Sequence, residues 1–295
     1  MPDISMRFGL DMIVVEGGMA TMLERHGVVD APCPELLNLI EPDLISEIHR
    51  FYQLAGAQCA VSNTFGTGAD NLASHGIEAD QESLCHEGVR LAKANKPQHV
   101  LADMGPCTIR ACKQGSASYD EAHDIYARQA GLLAKGDPDA ILIETVGDID
   151  DALCALHAAK ASCNLPVIVN CTFDASGEML KSRTPVAEAA EALELAGADA
   201  IGANCLLDPE EMIIVAGALA ASTGLPVLAM PDVSHPIVQP DGRTVYKGSP
   251  DLMAVAAYRL REAGVQLIGT CCGSTPAYTG AIFAAVGGTD VKRPK

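Results

Sequence analysis

The sequence predicts a (β/α)8 barrel, and three observations carry that expectation. Short continuous apolar runs recur along the 295 residues. Nearly every run is followed by a stretch with helical apolar spacing. Most of those stretches stop at a glycine-containing turn before the next run. Continuous apolar runs are what strands buried on both faces look like, and regular alternation of β and α implies a parallel sheet. No Gly-x-Gly-x-x-Gly follows the first run, so an open dinucleotide-binding sheet has no local support. Eight such units in a chain of this length favour closure. No linker or low-complexity tract divides residues 1–295, so a single barrel domain is expected.

Met12 to Val15 is the first run, and it leads into Glu16-Gly17-Gly18-Met19-Ala20-Thr21, a strand followed by a glycine turn. Two glycines beside one acid read as a plain turn as readily as a site. Glu41-Pro42-Asp43 opens a helix with the proline and acids suited to its positive end. Leu44, Ile45, Ile48, Phe51, Tyr52 and Ala55 then recur on one face. Ala55-Gly56-Ala57 stops it, and the strand Gln58 to Ser62 runs into Asn63-Thr64-Phe65-Gly66. A helix from about Gln81 precedes the strand His99 to Ala102, which ends in Asp103. The helix from about Ser118 stops at Lys135-Gly136-Asp137, before the strand Ala140 to Ile143 and its end, Glu144. Asp148 opens the next helix, followed by the strand Pro166 to Asn170. A helix from about Pro185 stops at Ala196-Gly197-Ala198, ahead of the strand reaching Cys205. Asp208-Pro209-Glu210-Glu211 starts another, which ends near Thr223-Gly224, and the strand Leu225 to Ala229 follows. Ser249-Pro250-Asp251 begins the helix that ends at Gly264. Val265 to Ile268 is the last strand; Thr275 and Pro276 open a helix after Cys271-Cys272-Gly273.

Composition excludes some functions. The formal net charge of −18 argues against nucleic acid or an acidic membrane surface as partner. No apolar run approaches the roughly 18 residues of a membrane span, and the first residues lack the basic and apolar regions of a signal peptide. A cytoplasmic location is expected. Eleven cysteines without such a signal imply reduced thiols rather than a disulfide framework. Cys59, Cys154 and Cys163 read as small core residues. A bond between neighbours Cys271 and Cys272 would close a strained ring.

On a barrel the working residues belong at the carboxyl ends of the strands, where the βα loops gather. Those ends are Glu16, Asn63, Asp103, Glu144, Asn170, Cys205, Pro231-Asp232 and Cys271-Cys272. Cys205 lies 66 positions before Cys271, but its strand is separated from that of the cysteine pair by only one other on the rim. The three sulfurs are therefore placed to converge. Three thiolates with a fourth position open to substrate would suit Zn2+. The spacing alone leaves open a second reading, three unrelated core thiols.

Gly269-Thr270-Cys271-Cys272-Gly273-Ser274-Thr275-Pro276 resembles the Gly-Gly-Cys-Cys-Gly motif of the homocysteine S-methyltransferase family, and Gly202-Ala203-Asn204-Cys205 resembles its upstream metal-ligand segment. Pro34-Glu35-Leu36-Leu37-Asn38-Leu39, Ile48-His49-Arg50, Ala55-Gly56-Ala57 and Asn63-Thr64-Phe65-Gly66 are similar to the homocysteine domain of cobalamin-dependent methionine synthase. The resemblance runs from about Glu16 to about Pro276. It implies a zinc-bearing TIM barrel in which Cys205, Cys271 and Cys272 hold the metal. The homocysteine sulfur would then complete the site and take a methyl group to give methionine. It also implies that Glu144 meets the substrate ammonium and that Gly17 and Gly18 bring backbone to the amino acid. Glu16 stands where the family usually has Asp, and an acid there can still face an ammonium. Asn63 and Asp103 sit at the same rim and would orient substrate, although ordinary turn chemistry accounts for them as well.

Two departures from the family pattern stand out. Thr270 replaces a glycine, and Pro231-Asp232-Val233-Ser234-His235-Pro236 replaces the usual Pro-Asn-Ala-Gly on the active rim. His235 reads as a rim residue or a solvated loop histidine. The chain ends at Lys295, without folate- or cobalamin-binding domains and without the C-terminal extension of betaine-dependent relatives. The expected donor is thus a small molecule such as S-methylmethionine or S-adenosylmethionine, or a separate methyl-corrinoid protein. A non-catalytic barrel that binds zinc or a thiol amino acid is the remaining alternative.

Overall fold

The computed structural model of the chain describes residues 3–28, 31–78, 80–111, 114–240 and 243–291. Its barrel strands are β1 (Ile13–Val14), β2 (Cys59–Val61), β3 (His99–Met104), β4 (Ala140–Val146), β5 (Val167–Cys171), β6 (Ala200–Asn204), β7 (Val227–Met230) and β10 (Leu267–Ile268). Between them run α1 (Met19–Arg25), α2 (Leu37–Ile40), α3 (Pro42–Leu54), α4 (Ala69–Ser74), α5 (Gln81–Ala94), α6 (Ala117–Ala134), α7 (Ile149–Ser162), α8 (Val186–Leu195), α9 (Pro209–Ser222) and α10 (Pro250–Glu262). α11 (Pro276–Val286) follows β10, and a short hairpin of β8 (Ile237–Val238) and β9 (Thr244–Val245) follows β7.

The eight strands are parallel in the order β1-β10-β7-β6-β5-β4-β3-β2. The two ends of that row meet. Val15 bridges Cys59 in parallel, the Gln58 N–H donates to Val14 O at 2.7 Å, and the Glu16 N–H donates to Cys59 O at 3.0 Å. The row is therefore a barrel, as the β–α alternation predicts. Helix starts follow the sequence signals. Asp208 caps α9 in a capping box with Glu211, Asp148 caps α7, and proline occupies the first turn of α3, α10 and α11. The short helices α1, α2 and α4 span too few turns to show a periodicity and were not expected. Nor was the β8–β9 hairpin, whose apolar residues are exposed.

Successive side chains on a strand point to opposite faces, and this alternation sorts the core. Ile13, Val15, Cys59, Leu101, Ala140, Leu142, Ile168, Ala200, Leu228, Met230 and Leu267 fill the barrel axis together with Ile4. Ile4 belongs to the 3-10 turn Ile4–Arg7. Their neighbours Val14, Ala60, Val100, Ala102, Ile141, Ile143, Val167, Val169, Ile201 and Ala229 pack outward against the helices. At the amino-terminal end the Gln266 side chain donates to Arg7 O and Asp11 O and accepts from the Gly9 N–H, which ties the N-terminal segment to the barrel. No helix among the described residues is long and apolar enough to cross a membrane.

The same parity turns Glu16 outward, toward α3. Its carboxylate accepts from the Val61 N–H at 2.8 Å and bonds His49 Nδ1 at 2.9 Å, with both residues almost wholly buried. Removing the carboxylate strands two buried donors, which should cost roughly 3 kcal/mol. Glu16→Ala is expected to lower the melting temperature by about 5–10 °C, read by circular dichroism. A change within 1 °C would contradict this anchoring role.

Candidate active site

A cavity of about 330 Å³ opens at the carboxyl ends of the strands. Its wall includes Gly17, Gly18, Glu35, Asn63, Phe65, Asp103, Glu144, Cys205, Met230, Thr270, Cys271 and Cys272. A larger cleft of about 490 Å³ at the opposite end is lined by Phe8, Gly224, Pro226 and neighbours and contains no ionisable side chain among those walls. The carboxyl-end cavity is therefore the candidate site.

One pole of that cavity is sulfur. Cys205 and Cys271 are placed sulfur to sulfur as a disulfide, with Cα atoms 5.6 Å apart, and Cys272 Sγ lies 3.9 Å from Cys271 Sγ. With an oxygen of Asp232, the three sulfurs form one group whose ligand atoms all lie within 4.8 Å of one another. The convergence expected from the order of the strands is thus present. Reduced, these side chains offer a soft, partly exposed set of three thiols, which suits a tetrahedral zinc with one open position. Burial, reinforced by the adjacent Asp232 carboxylate, pushes the Cys272 thiol up to about 12. Without a cation that thiol stays protonated at neutral pH.

The other pole is acidic. Asp103 and Glu144 continue the inward parity of Leu101 and Leu142. Asp103 Oδ1 and Glu144 Oε2 are buried without a hydrogen-bond partner. Burial raises the Glu144 carboxyl to about 7. Burial, then the charges of Glu144 and Glu35, raise Asp103 well above the usual carboxylate range. A local irregularity in the β4–β5 register after Ile143, with Thr145 at φ 63°, sets Glu144 at the cavity. Asn204 holds that bend, accepting from the Thr145 N–H at 2.9 Å and donating to Thr145 Oγ1 at 2.7 Å. No lysine, arginine or histidine lines the cavity among the described residues.

Gly17 and Gly18 are where the first loop passes the cysteine turn. A Cβ on Gly17 would lie 2.5 Å from Ser274 Oγ and 2.7 Å from Thr270 Oγ1; one on Gly18 would lie 2.7 Å from Cys271 O. Only glycine permits that approach. The Gly18 N–H donates to Ser274 Oγ, which donates in turn to Cys271 O.

Asn63 reaches the cavity wall, but its amide donates to Pro34 O and Asn38 Oδ1, so it supports the wall. Glu16 is not at the cavity at all. Its carboxylate is held by His49 and Val61 behind the strand, which removes the expected contact with an ammonium. Glu35, quoted above only within a motif, is a third buried acid of the cavity and accepts from the Gly66 N–H and the Cys33 thiol. His235 lies outside the cavity, its Nε2 3.1 Å from Glu211 Oε2 at the start of α9.

The sequence profile of the homocysteine S-methyltransferase family matches residues 13–286. The chain belongs to that family. It is 33% identical over 304 aligned residues to methionine synthase of Mycobacterium tuberculosis, covering 96% of this chain and 25% of that protein. It is also 33% identical to methionine synthase of Mycobacterium leprae, over 86% of this chain and 22% of that protein. This chain thus spans about a quarter of the length of these curated relatives. Among solved structures, the metallated homocysteine methyltransferase MmuM from Escherichia coli superposes with a TM-score of 0.76 at 23% identity, covering 93% of this chain and 96% of that one. That likeness extends to the fold.

The raised Glu144 carboxyl makes a signed prediction. Between the ordinary carboxylate value and about 7, the folded protein holds a proton that the unfolded chain has released. Stability contributed by this group therefore falls as pH rises through that window. Glu144→Gln abolishes the dependence. In urea unfolding, the variant should gain on the native protein between pH 5 and pH 8, with the gap widest at pH 8. A gap that is constant with pH would contradict the shift.

Proposed function

We propose that the chain is a zinc-dependent homocysteine S-methyltransferase of the cytoplasm. The observation that carries this reading is the two-poled cavity: three cysteine sulfurs at one side and, at the other, two buried carboxylates that each keep an oxygen without a hydrogen-bond partner. An amino acid with a thiol on a short side chain matches both poles at once. Cys205, Cys271 and Cys272 would hold the metal. A bound zinc ion supplies Lewis acidity, lowering the pKa of an incoming thiol so that it reacts as thiolate at neutral pH.

The protein's own groups do the rest. Asp103 and Glu144 accept the ammonium, and the favourable charge pairing offsets the burial that otherwise favours their protonated forms. The glycine turn at Gly17 and Gly18 keeps the wall close around the amino acid. Because the barrel fixes both poles, the substrate sulfur faces the mouth from a set direction, as an in-line methyl displacement requires. The sulfur attacks the methyl carbon, the bond from that carbon to the donor breaks, and the leaving group keeps the electron pair. Glu35, Asp103 and Glu144, with no basic side chain among the described residues of the wall, favour a cationic donor, such as the sulfonium of S-methylmethionine or S-adenosylmethionine. A separate methyl-corrinoid protein is the second reading, supported by the 33% identity to the Mycobacterium tuberculosis methionine synthase over 96% of this chain.

Cys205→Ala, Cys271→Ala and Cys272→Ala are each expected to lose tightly bound metal and methyl transfer together, as measured by metal analysis and methionine formation. Full zinc occupancy in any of the three would remove that residue from the ligand set. Glu144→Ala should retain zinc and weaken homocysteine binding at least tenfold. Incubating the zinc-loaded protein with homocysteine and each sulfonium donor tests the donor. Methionine formation only with a methyl-corrinoid protein would select the second reading, and zinc binding without turnover on any donor would overturn both.

A further inference from the structure

The loop after β7 departs from the family pattern at Asp232, and the structure gives that residue a specific task. Asp232 is 2% exposed. Its Oδ1 accepts from the Cys272 N–H at 2.9 Å and its Oδ2 from the Leu206 N–H at 3.1 Å. One carboxylate thus bonds both sulfur-bearing turns, which come from strands on either side of β7. The main chain repeats the pattern: the Cys205 N–H donates to Met230 O and the Cys271 N–H to Pro231 O.

Cys205 and Leu206 are consecutive non-glycine residues in the left-handed region, at φ 60° and 62°. Side chains disfavour that conformation, so it persists where surrounding contacts enforce it. The Leu206 N–H held by Asp232 is one of those contacts. An asparagine in the same place would offer one acceptor oxygen and turn its amide N–H2 toward the second backbone donor. Only the acid satisfies both.

We propose that Asp232 is a positioning residue: it staples the Cys205 turn to the Cys271-Cys272 turn and thereby sets the spacing of the three sulfurs. This rests on the metal-binding reading above, and the test separates the two. Reduced native protein, Asp232→Asn and Asp232→Ala are loaded with Co(II), whose thiolate charge-transfer and d–d bands report ligand geometry, and cobalt release to a chelator is timed. If the staple operates, Asp232→Ala releases cobalt at least tenfold faster with an altered spectrum, Asp232→Asn is intermediate, and the melts remain cooperative. Native spectrum and release rate in Asp232→Ala overturn the proposal. Should Asp232→Ala fail to fold, Asp232→Asn decides by the same criteria.

If the native protein itself takes up no cobalt, the metal reading fails and the staple is judged without metal. The reduced protein is then treated with oxidised glutathione. Two exchanges, each expelling one glutathione thiol, close the Cys205–Cys271 bond, and their 5.6 Å Cα separation suits it. Closure at least fivefold slower in Asp232→Ala supports the staple; equal rates overturn it.

Discussion

Closure of the strand row is the constraint on which everything else depends. The pairing of Val15 with Cys59 joins the two ends of the sheet and turns eight separate strand ends into one ring. Adjacent strands lie about 4.8 Å apart, so residues beyond β6 and β10 would ordinarily be separated by about two strand spacings. Here their Cα atoms come within 5.6 Å because both turns lean inward over the end of β7. The left-handed backbone at Cys205 and Leu206 makes that lean possible, and the Met230-Pro231-Asp232 segment beneath accepts hydrogen bonds from both turns.

Within the ring, polarity is divided rather than mixed. The sulfur side belongs to β6, β7 and β10, and the acidic side to β3 and β4. Asn204 spans the boundary: it holds Thr145, the residue after Glu144, and its amide also donates to Cys205 Sγ at 3.4 Å. The acidic side and the sulfur side are consequently linked to one another through one buried side chain. Both ends depend on unpaired or weakly paired polar atoms, which fold stability alone would not favour.

Most of this organisation was legible in the sequence. Each apolar run became a barrel strand, because burial on both faces leaves the same signature whatever the neighbours. The capping acids Asp148 and Asp208 marked helix starts because their chemistry is local. Glu16 shows where such reading stops. Its position at a strand end was right, but a single residue of parity decides whether a side chain enters the barrel or faces a helix. The buried His49 partner lies on a different element. What Glu35 and Asp232 do was not legible for a related reason: Glu35 accepts the Gly66 N–H and Asp232 accepts those of Leu206 and Cys272, all distant in sequence. The β8–β9 hairpin has too few residues per strand to show alternation.

The floor of the barrel carries a kinetic meaning. Ile4 and the layers of Val15, Leu101, Leu142, Ile168 and Leu228 are packed with no measurable exposure, so the axis is a plug and not a conduit. Among the described residues, the acids and sulfurs are reached from the carboxyl end of the barrel. A molecule seated at that mouth therefore closes off the acids and sulfurs beneath it from any second arrival.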